Sequence, residues 1–394
     1  MDESWRGRRA MCARAAVVVA VAGAVAASLM CATPAAANAQ GAIGSLGFGY
    51  PLGGQSARSL GSGGALSDVD PQTPLNPAAI VMNARAQVYA QYEPEFRTVT
   101  VGGVATKTTM SRFPLFALTG RQGKATFSLS FASFMDRTWL NTYADTQTVG
   151  NERLASTVLT QSVGGISEGR VAMAWSFSEN AHLGVGLHVY PGQNRVSIGR
   201  IFSDSSRAGN FQVSDSYSFS GKALSLGALV IPGHHFVLSG DLRIGGSLSM
   251  RRGDSTVVGQ GTVPLRYGVS VLYDGVPGAV FSGRIGADRW SDLRGLGTSS
   301  LGLNDATDMS VGAELTGPRI TGTPVLFRGG YRTRGLPFTY GTTAVTESSM
   351  SGGVSIPLIG GRAIIDLGAM QATRSSGSVS EKSLLLSIGV GIRP

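Results

Sequence analysis

With 394 residues, the chain is long enough for one large sheet or two ordinary domains. Its 56 glycines, 14% charged residues and mean hydropathy of +0.12 are out of keeping with a soluble enzyme, and suit a sheet with lipid on one face and a crowded lumen on the other. The formal charge of +9 is scattered rather than gathered into Lys/Arg runs, so nucleic acid is not an expected partner; lumenal ion pairs and attraction to anionic lipopolysaccharide account for it.

Residues 1–39 read as an export signal. Arg6, Arg8, Arg9 and Arg14 form a basic start, Ala15 to Met30 an apolar run, and Ala37-Asn38-Ala39 a small-residue cleavage site before Gln40. A membrane anchor fits less well, because the run is alanine-rich and short of a full span. Cys12 and Cys31 both fall in this segment, so the exported chain is expected to have no disulfide and no cysteine metal site.

Residues 40–83 are rich in Gly, Ser, Ala and Pro and lack sustained alternation. Leu46, Phe48, Tyr50, Leu52, Leu60, Leu66 and Ile80 are too many apolar groups for a solvated tail. Tucking the segment inside a barrel as a plug, or hatch, would bury them. Asn76-Pro77-Ala78 is the expected pin: Pro77 cannot join a ladder, Asn76 can bond nearby backbone, and Ala78 permits close approach to a wall. Arg58 and Asp68 are expected to make polar contacts with inward-facing strand residues.

From residue 84 to 394 the recurring pattern has period two. In 236–250, Phe236, Leu238, Leu242, Ile244, Leu248 and Met250 share one face, and Ser239, Asp241, Arg243, Ser247 and Ser249 the other. The last strand sets Leu384, Leu386, Ile388, Val390 and Ile392 against Ser383, Ser387, Gly389, Gly391 and Arg393. The fold expected is all-β, a transmembrane antiparallel barrel of about 14 strands with the N-terminal plug. Those strands are placed near 85–93, 112–120, 124–136, 169–178, 181–190, 222–231, 235–252, 263–274, 279–290, 307–316, 323–334, 347–357, 361–373 and 381–393. Connections after even-numbered strands are tight. Two after odd-numbered strands, Arg137–Gly169 and Pro191–Gly221, are long and are expected to be extracellular loops.

Few residues invite chemistry. Arg243, Arg284, Asp288, Glu314, Arg328, Arg332 and Asp366 alternate with lipid-facing positions and are expected in the lumen, as an ion-pair lattice holding the plug or, for some arginines, as attractors of a carboxylate-bearing ligand. His182 and His188 share a face but lie six residues apart, too far to ligate one metal, and His234-His235 sits in a turn. No metal site, cofactor or local catalytic motif is expected, so the chain does not read as an enzyme. Trp139, Trp175 and Trp290 are expected in part as interfacial girdle residues.

Three stretches of the N-terminal segment resemble the hatch of the FadL/TodX family of outer-membrane transporters for long-chain fatty acids and other hydrophobic compounds. They are Gly47-Phe48-Gly49-Tyr50, residues Ser56 to Asp68 with Arg58 and Gly63-Gly64-Ala65, and Asn76-Pro77-Ala78. Arg328-Gly329-Gly330-Tyr331 and Asp288-Arg289-Trp290-Ser291 are similar too, while Arg393-Pro394 departs from the aromatic end usual in such barrels. The resemblance implies passive uptake of hydrophobic small molecules, captured among the loops, held in an apolar pocket and released past the plug or through a gap in the wall. Its expected partners are that ligand, outer-membrane lipids with lipopolysaccharide, and the barrel-insertion machinery. The alternative is a structural or secretion-associated barrel that binds other surface proteins; a barrel hydrolase, marked by a Ser-His-acid set at the rim, is a third.

Overall fold

The computed structural model describes residues 48–83, 85–101, 104–204, 208–296, 303–320, 322–340, 343–376 and 379–393. The export signal of residues 1–39 and the cleavage site before Gln40 lie outside them.

Among the described residues fourteen antiparallel strands form the wall: β1 (Gln87–Val101), β2 (Val104–Gln122), β3 (Ala125–Asp136, continued by Trp139–Val149), β4 (Glu152–Ser176), β5 (Ala181–Val189, continued by Gly192–Phe202), β6 (Phe211–Val230), β7 (Phe236–Arg252), β8 (Val257–Thr262, continued by Leu265–Val276), β9 (Ala279–Arg289), β10 (Ala306–Ile320), β11 (Thr323–Tyr340), β12 (Thr343–Leu358), β13 (Ala363–Ser376) and β14 (Val379–Ile392). Each pairs with the next, and β14 pairs with β1 from Val379↔Val101 to Ile392↔Val88, so the sheet closes on itself. Closure leaves neither rim strand with an unpaired ladder facing lipid, which a membrane demands of any sheet.

The wall is inside-out relative to a soluble protein. On β5, Leu183, Leu187 and Val189 are 52%, 64% and 58% exposed, while His182 and His188, which alternate with them, are buried. The same holds around the sheet, with Phe127, Leu129 and Phe131 outward against buried Thr126, Ser128 and Ser130. Covering charged groups while leaving Leu and Phe uncovered is unfavourable in water by roughly 25 cal/mol per Å² of apolar surface, and becomes favourable when the outer medium is hydrocarbon. Trp175, Phe177, Phe236 and Tyr273 gather on the outer face near the tight turns, as an interfacial girdle does.

Two expectations need correction. Arg137–Gly169 and Pro191–Gly221 are not long loops: Trp139–Val149, Glu152–Ser176, Gly192–Phe202 and Phe211–Val230 run through them as strand. Thr142, Asp145, Thr146, Gln147 and Thr148 have no apolar period, so nothing in sequence marked them as sheet; register with β4, from Val149↔Glu152 to Trp139↔Ser162, holds them extended. Trp290 is not a girdle residue. It begins a 3-10 turn (Trp290–Leu293) that folds inward between β9 and β10, and it is 4% exposed.

Candidate functional site

The segment 48–83 is in contact with inward-facing side chains all round the wall. Helix α1 (Ala57–Gly61) starts where the Ser56 hydroxyl accepts from the Ser59 amide at 3.0 Å, capping an orphan donor. Its Leu60 packs on Met370, Ala372 and Leu385 of β13 and β14. The Ala57 amide donates to the Tyr89 hydroxyl and to Gln91 on β1. Gly61 and Gly63 then run so close to β12 and β11 that a Cβ would lie 3.0 Å from the Gly353 Cα and 2.8 Å from the Tyr331 amide; Gly63 also has φ +69°, open to glycine at no steric cost.

Asn76 is the N-cap of a 3-10 helix (Pro77–Met82). Its Oδ1 accepts from the Ala78 amide at 2.8 Å, and its Nδ2 donates to the Asp68 carbonyl at 3.0 Å, to the Ser239 hydroxyl at 2.8 Å and to the Ala228 carbonyl at 3.3 Å. One side chain thus ties the helix start to an earlier turn and to β6 and β7. Pro77 supplies the helical φ and needs no donor. The close approach is made possible by Gly184 and Gly227, where a Cβ would come within 2.4 Å of the Ala78 amide and 1.9 Å of the Asn76 Oδ1.

Arg58 pairs with Glu314 at 3.3 Å, and Asp68 with Arg284 at 2.8 Å. Glu314 raises the pKa of Arg58, keeping it cationic. Arg284 also holds Asp308, which Arg332 grips from β11 at 2.8 Å through Nε. Arg328 bonds Glu314 at 2.6 Å and lies 3.7 Å from Asp366, while Arg243 pairs with Asp288 at 3.4 Å. The seven strand residues named from sequence therefore all point inward and fall into three linked groups, two of which include a residue of the 48–83 segment.

A further cluster was not read from sequence. The Tyr50 hydroxyl donates to Glu347 at 2.5 Å and accepts from Arg334 and Arg374; the Arg97, Arg334 and Arg374 guanidinium carbons lie 5.6, 5.2 and 4.2 Å from its ring centre. Burial raises the Tyr50 pKa, so the phenol keeps its proton. Glu347 receives Arg334 and Arg374 at 2.6 Å each, and Glu95 receives Arg97 at 2.8 Å and Arg112 at 2.5 Å. A lone buried ion pair rarely repays its desolvation; carboxylates flanked by two forks each are the arrangement that can. Tyr50 was visible only as one apolar residue in a run, because its partners come from four distant strands.

Towards the end of the barrel from which the β3–β4 and β5–β6 hairpins project, the interior turns apolar. Phe48 meets Phe219 edge-on at 5.9 Å, and Phe134 meets Tyr190 at 4.8 Å and Trp290 at 5.8 Å, with Met135, Leu248, Val263 and Leu296 around them. The aromatics fill this part of the interior. The cavity beside them, bordered by Pro51, Phe134, Trp290, Arg243, Asp308 and Arg332, measures only about 50 Å³. That is room for a water or two, against the roughly 300 Å³ or more of a ligand pocket.

The apolar cluster backs onto a seam. β2 and β3 pair from Gln122↔Ala125 to Leu115↔Ala132, and among the described residues no pairing joins Val104–Pro114 of β2 to β3. Pro114, which has no amide hydrogen, stands where pairing ends. β3 shifts register between Ser133 and Met135, so that Phe134 keeps its place on the inward face and Met135, opposite buried Ile166, joins it there. Into that place comes the N-terminal segment: Tyr50↔Asp136 and Pro51↔Met135 form a two-residue bridge, the Leu52 amide donates to the Phe134 carbonyl at 3.2 Å, and Arg112 reaches Asp136 across the seam at 3.6 Å.

One constellation has the look of chemistry. His188 Nε2 lies 2.7 Å from the Ser225 hydroxyl and its Nδ1 2.5 Å from Glu168, which also accepts from the Tyr190 hydroxyl at 3.1 Å. It sits inside the wall rather than at the rim. Ser225 is 1% exposed, and a Cβ on neighbouring Gly186 would be 2.5 Å from its Oγ, so an acyl carbon has no room to approach. The trio is a hydrogen-bonded strut between β4, β5 and β6. His182 bonds Ser176, His235 lies 3.2 Å from Asp274, and no group of three or more metal-ligating side chains occurs among the described residues.

No family model matches the chain, and no curated protein matches it in sequence. Solved structures do match in fold. A FadL homologue from Pseudomonas aeruginosa is similar at a TM-score of 0.60 and 11% identity, over 88% of this chain and 99% of that one. The Pseudomonas putida toluene transporter TodX is similar at 0.56 and 12%, over 87% and 98%, and the monoaromatic hydrocarbon channel CymD at 0.55 and 12%, over 88% and 98%. The fold is therefore FadL/TodX-like.

Proposed function

We propose that the protein is an outer-membrane channel for passive uptake of hydrophobic small molecules, with long-chain fatty acids among the candidates, and that residues 40–83 are its plug. The observation that carries this is the lapse of β2–β3 pairing directly beside a buried aromatic cluster, with the N-terminal segment bridged into the gap. A polar solute gains nothing there. A greasy molecule could exchange its contacts for those of Phe48, Phe134 and Trp290 and leave sideways into the apolar phase without crossing the charged lumen floor. The cavity beside the cluster, at about 50 Å³, admits no such ligand, so on this reading passage through the seam requires the Tyr50–Pro51 bridge to move. The printed names of the similar solved structures, a toluene transporter and a hydrocarbon channel, support the same class of cargo. The alternative, a barrel that binds surface proteins, gains support only from the projecting hairpins.

The test is a reversible tether. Pro51 and Met135 are register partners, at a separation that suits a disulfide, and both native cysteines precede the expected cleavage site. In proteoliposomes, Pro51→Cys/Met135→Cys should take up a hydrophobic fluorophore at least fivefold more slowly when oxidised and recover on reduction. Equal uptake in both states would refute the seam route.

A further inference from the structure

The buried lumenal cations are arginines, whose planar fork can grip two carboxylates, while others such as Arg121, Arg251 and Arg252 are exposed; the sequence's only lysines are Lys107, Lys124, Lys222 and Lys382. Lys107 and Lys382 are exposed on the outer face and lie on one row across three strands, Lys382↔Thr98 on β14 and β1 and Thr98↔Lys107 on β1 and β2. Two strand spacings put their Cα atoms about 10 Å apart. One outward step towards the tight turns, the next residues facing lipid are Leu384 and Phe96, themselves register partners and 45% and 44% exposed. The lysines thus stand at the edge of the apolar belt, on the side of the projecting hairpins, where long stems can lie along the belt and lift the ammonium into the headgroups.

Glu95 and Glu381 on the same or adjacent strands face the lumen, buried and held by arginines, and neither lysine forms an ion pair among the described residues. Their neighbours on the outer face are hydroxyls: Thr98 between them, Thr109 beyond Phe96 and Thr373 opposite Lys382. A pair of mobile cations with hydroxyl donors and no carboxylate is a surface for phosphate.

We infer that the β14–β1–β2 face binds the phosphorylated glycolipid of the outer leaflet, with Lys107 and Lys382 on its phosphates and Thr98 between them. The site rests on the outer-membrane reading above but not on the transported ligand. It also lies on the wall next to the β2–β3 seam, so a bound glycolipid would stand beside the exit and leave its acyl chains along β1 and β2.

The test uses the full exported chain, purified in neutral detergent, with bis-phosphorylated lipid A as the probe and bound lipid counted by native mass spectrometry. Lys107→Gln/Lys382→Gln should lower the bound fraction about tenfold or more. Lys124→Gln, in the turn at the opposite end, should leave it unchanged. Retention of the heat-dependent gel shift of a folded barrel verifies that the variants fold. Unchanged binding by the double variant overturns the site, and equal binding and equal loss with phosphatidylglycerol overturns its assignment to the glycolipid. Uptake of the hydrophobic fluorophore by the double variant should match the parent, so failure here and failure of the transport reading give separate results.

Discussion

Single side chains decide how firmly residues 48–83 are held. Asp68 is fully buried, and its Oδ1 meets Arg284 at 2.8 Å. Replacing it by Ala leaves that guanidinium paired only with Asp308, which Arg332 shares, and near Asp241, at a cost of about 3 kcal/mol if the buried charge is left short of a partner. The expected result for Asp68→Ala is a lower urea midpoint and a measurable leak of small solutes through reconstituted barrels; an unchanged midpoint would mean that the pairing contributes nothing net. Tyr50→Phe keeps the ring under Arg374 but removes the phenol that joins Glu347, Arg334 and Arg374. Hydrogen bonds to charged groups contribute about 1.5–3 kcal/mol, so the segment should become more susceptible to protease near residue 50 while the wall remains resistant. Gly227→Ala is a steric counterpart. Its methyl would overlap the Asn76 amide oxygen at 1.9 Å, with the Pro77 ring at 2.8 Å and the Ala78 backbone amide at 3.0 Å closing the space beside it. Faster proteolysis of residues 48–83 is expected here too, without change in the net charge of the lumen.

Among elements, the N-terminal segment and β3 depend on one another. β3 leaves β2 at Ala132 and finds Tyr50–Pro51 instead, and the bulge at Phe134 lets Met135 follow it into the lumen where ordinary alternation would have turned Met135 to the outer face. Removing residues 41–70 takes away Tyr50, α1 and Asp68 together. Such a deletion should raise passive leakage of small solutes across a reconstituted bilayer; unchanged leakage would assign closure to the inward turn Trp290–Leu293 and its aromatic neighbours. Sequence reading failed at the same scale. The expectation of loops over Arg137–Gly169 and Pro191–Gly221 misses the strands there, most plainly at Trp139–Val149, where Thr, Asp and Gln occupy both faces. A strand with water on both sides has no reason to alternate, and its extension is maintained by the ladder alone.

For the whole molecule, the medium rather than the chain sets which side of the sheet is covered. Outside the β2–β3 seam the described strands satisfy their backbone through their neighbours, and the outer apolar face has no second sheet to meet, so the barrel requires hydrocarbon. Membrane fractionation should therefore recover it in the outer membrane, with a heat-dependent gel shift and an N-terminus near Gln40; a chain that retains residues 1–39 in the inner membrane would overturn the export reading. What the sequence determined by itself was the wall. Alternation of period two survives wherever a strand has lipid on one face and polar lumen on the other, so positions such as Arg243, Arg284, Glu314 and Arg332 could be assigned inward from their neighbours alone. The turn at Asn76-Pro77-Ala78 was legible for a local reason, a side chain that caps its own turn. The tertiary structure alone decided the contacts between residues far apart in the chain. Arg374 with Tyr50, Gly227 under Asn76, and the Pro51–Met135 bridge that closes the seam each depend on which strands barrel closure brings face to face, and neither composition nor period encodes that register.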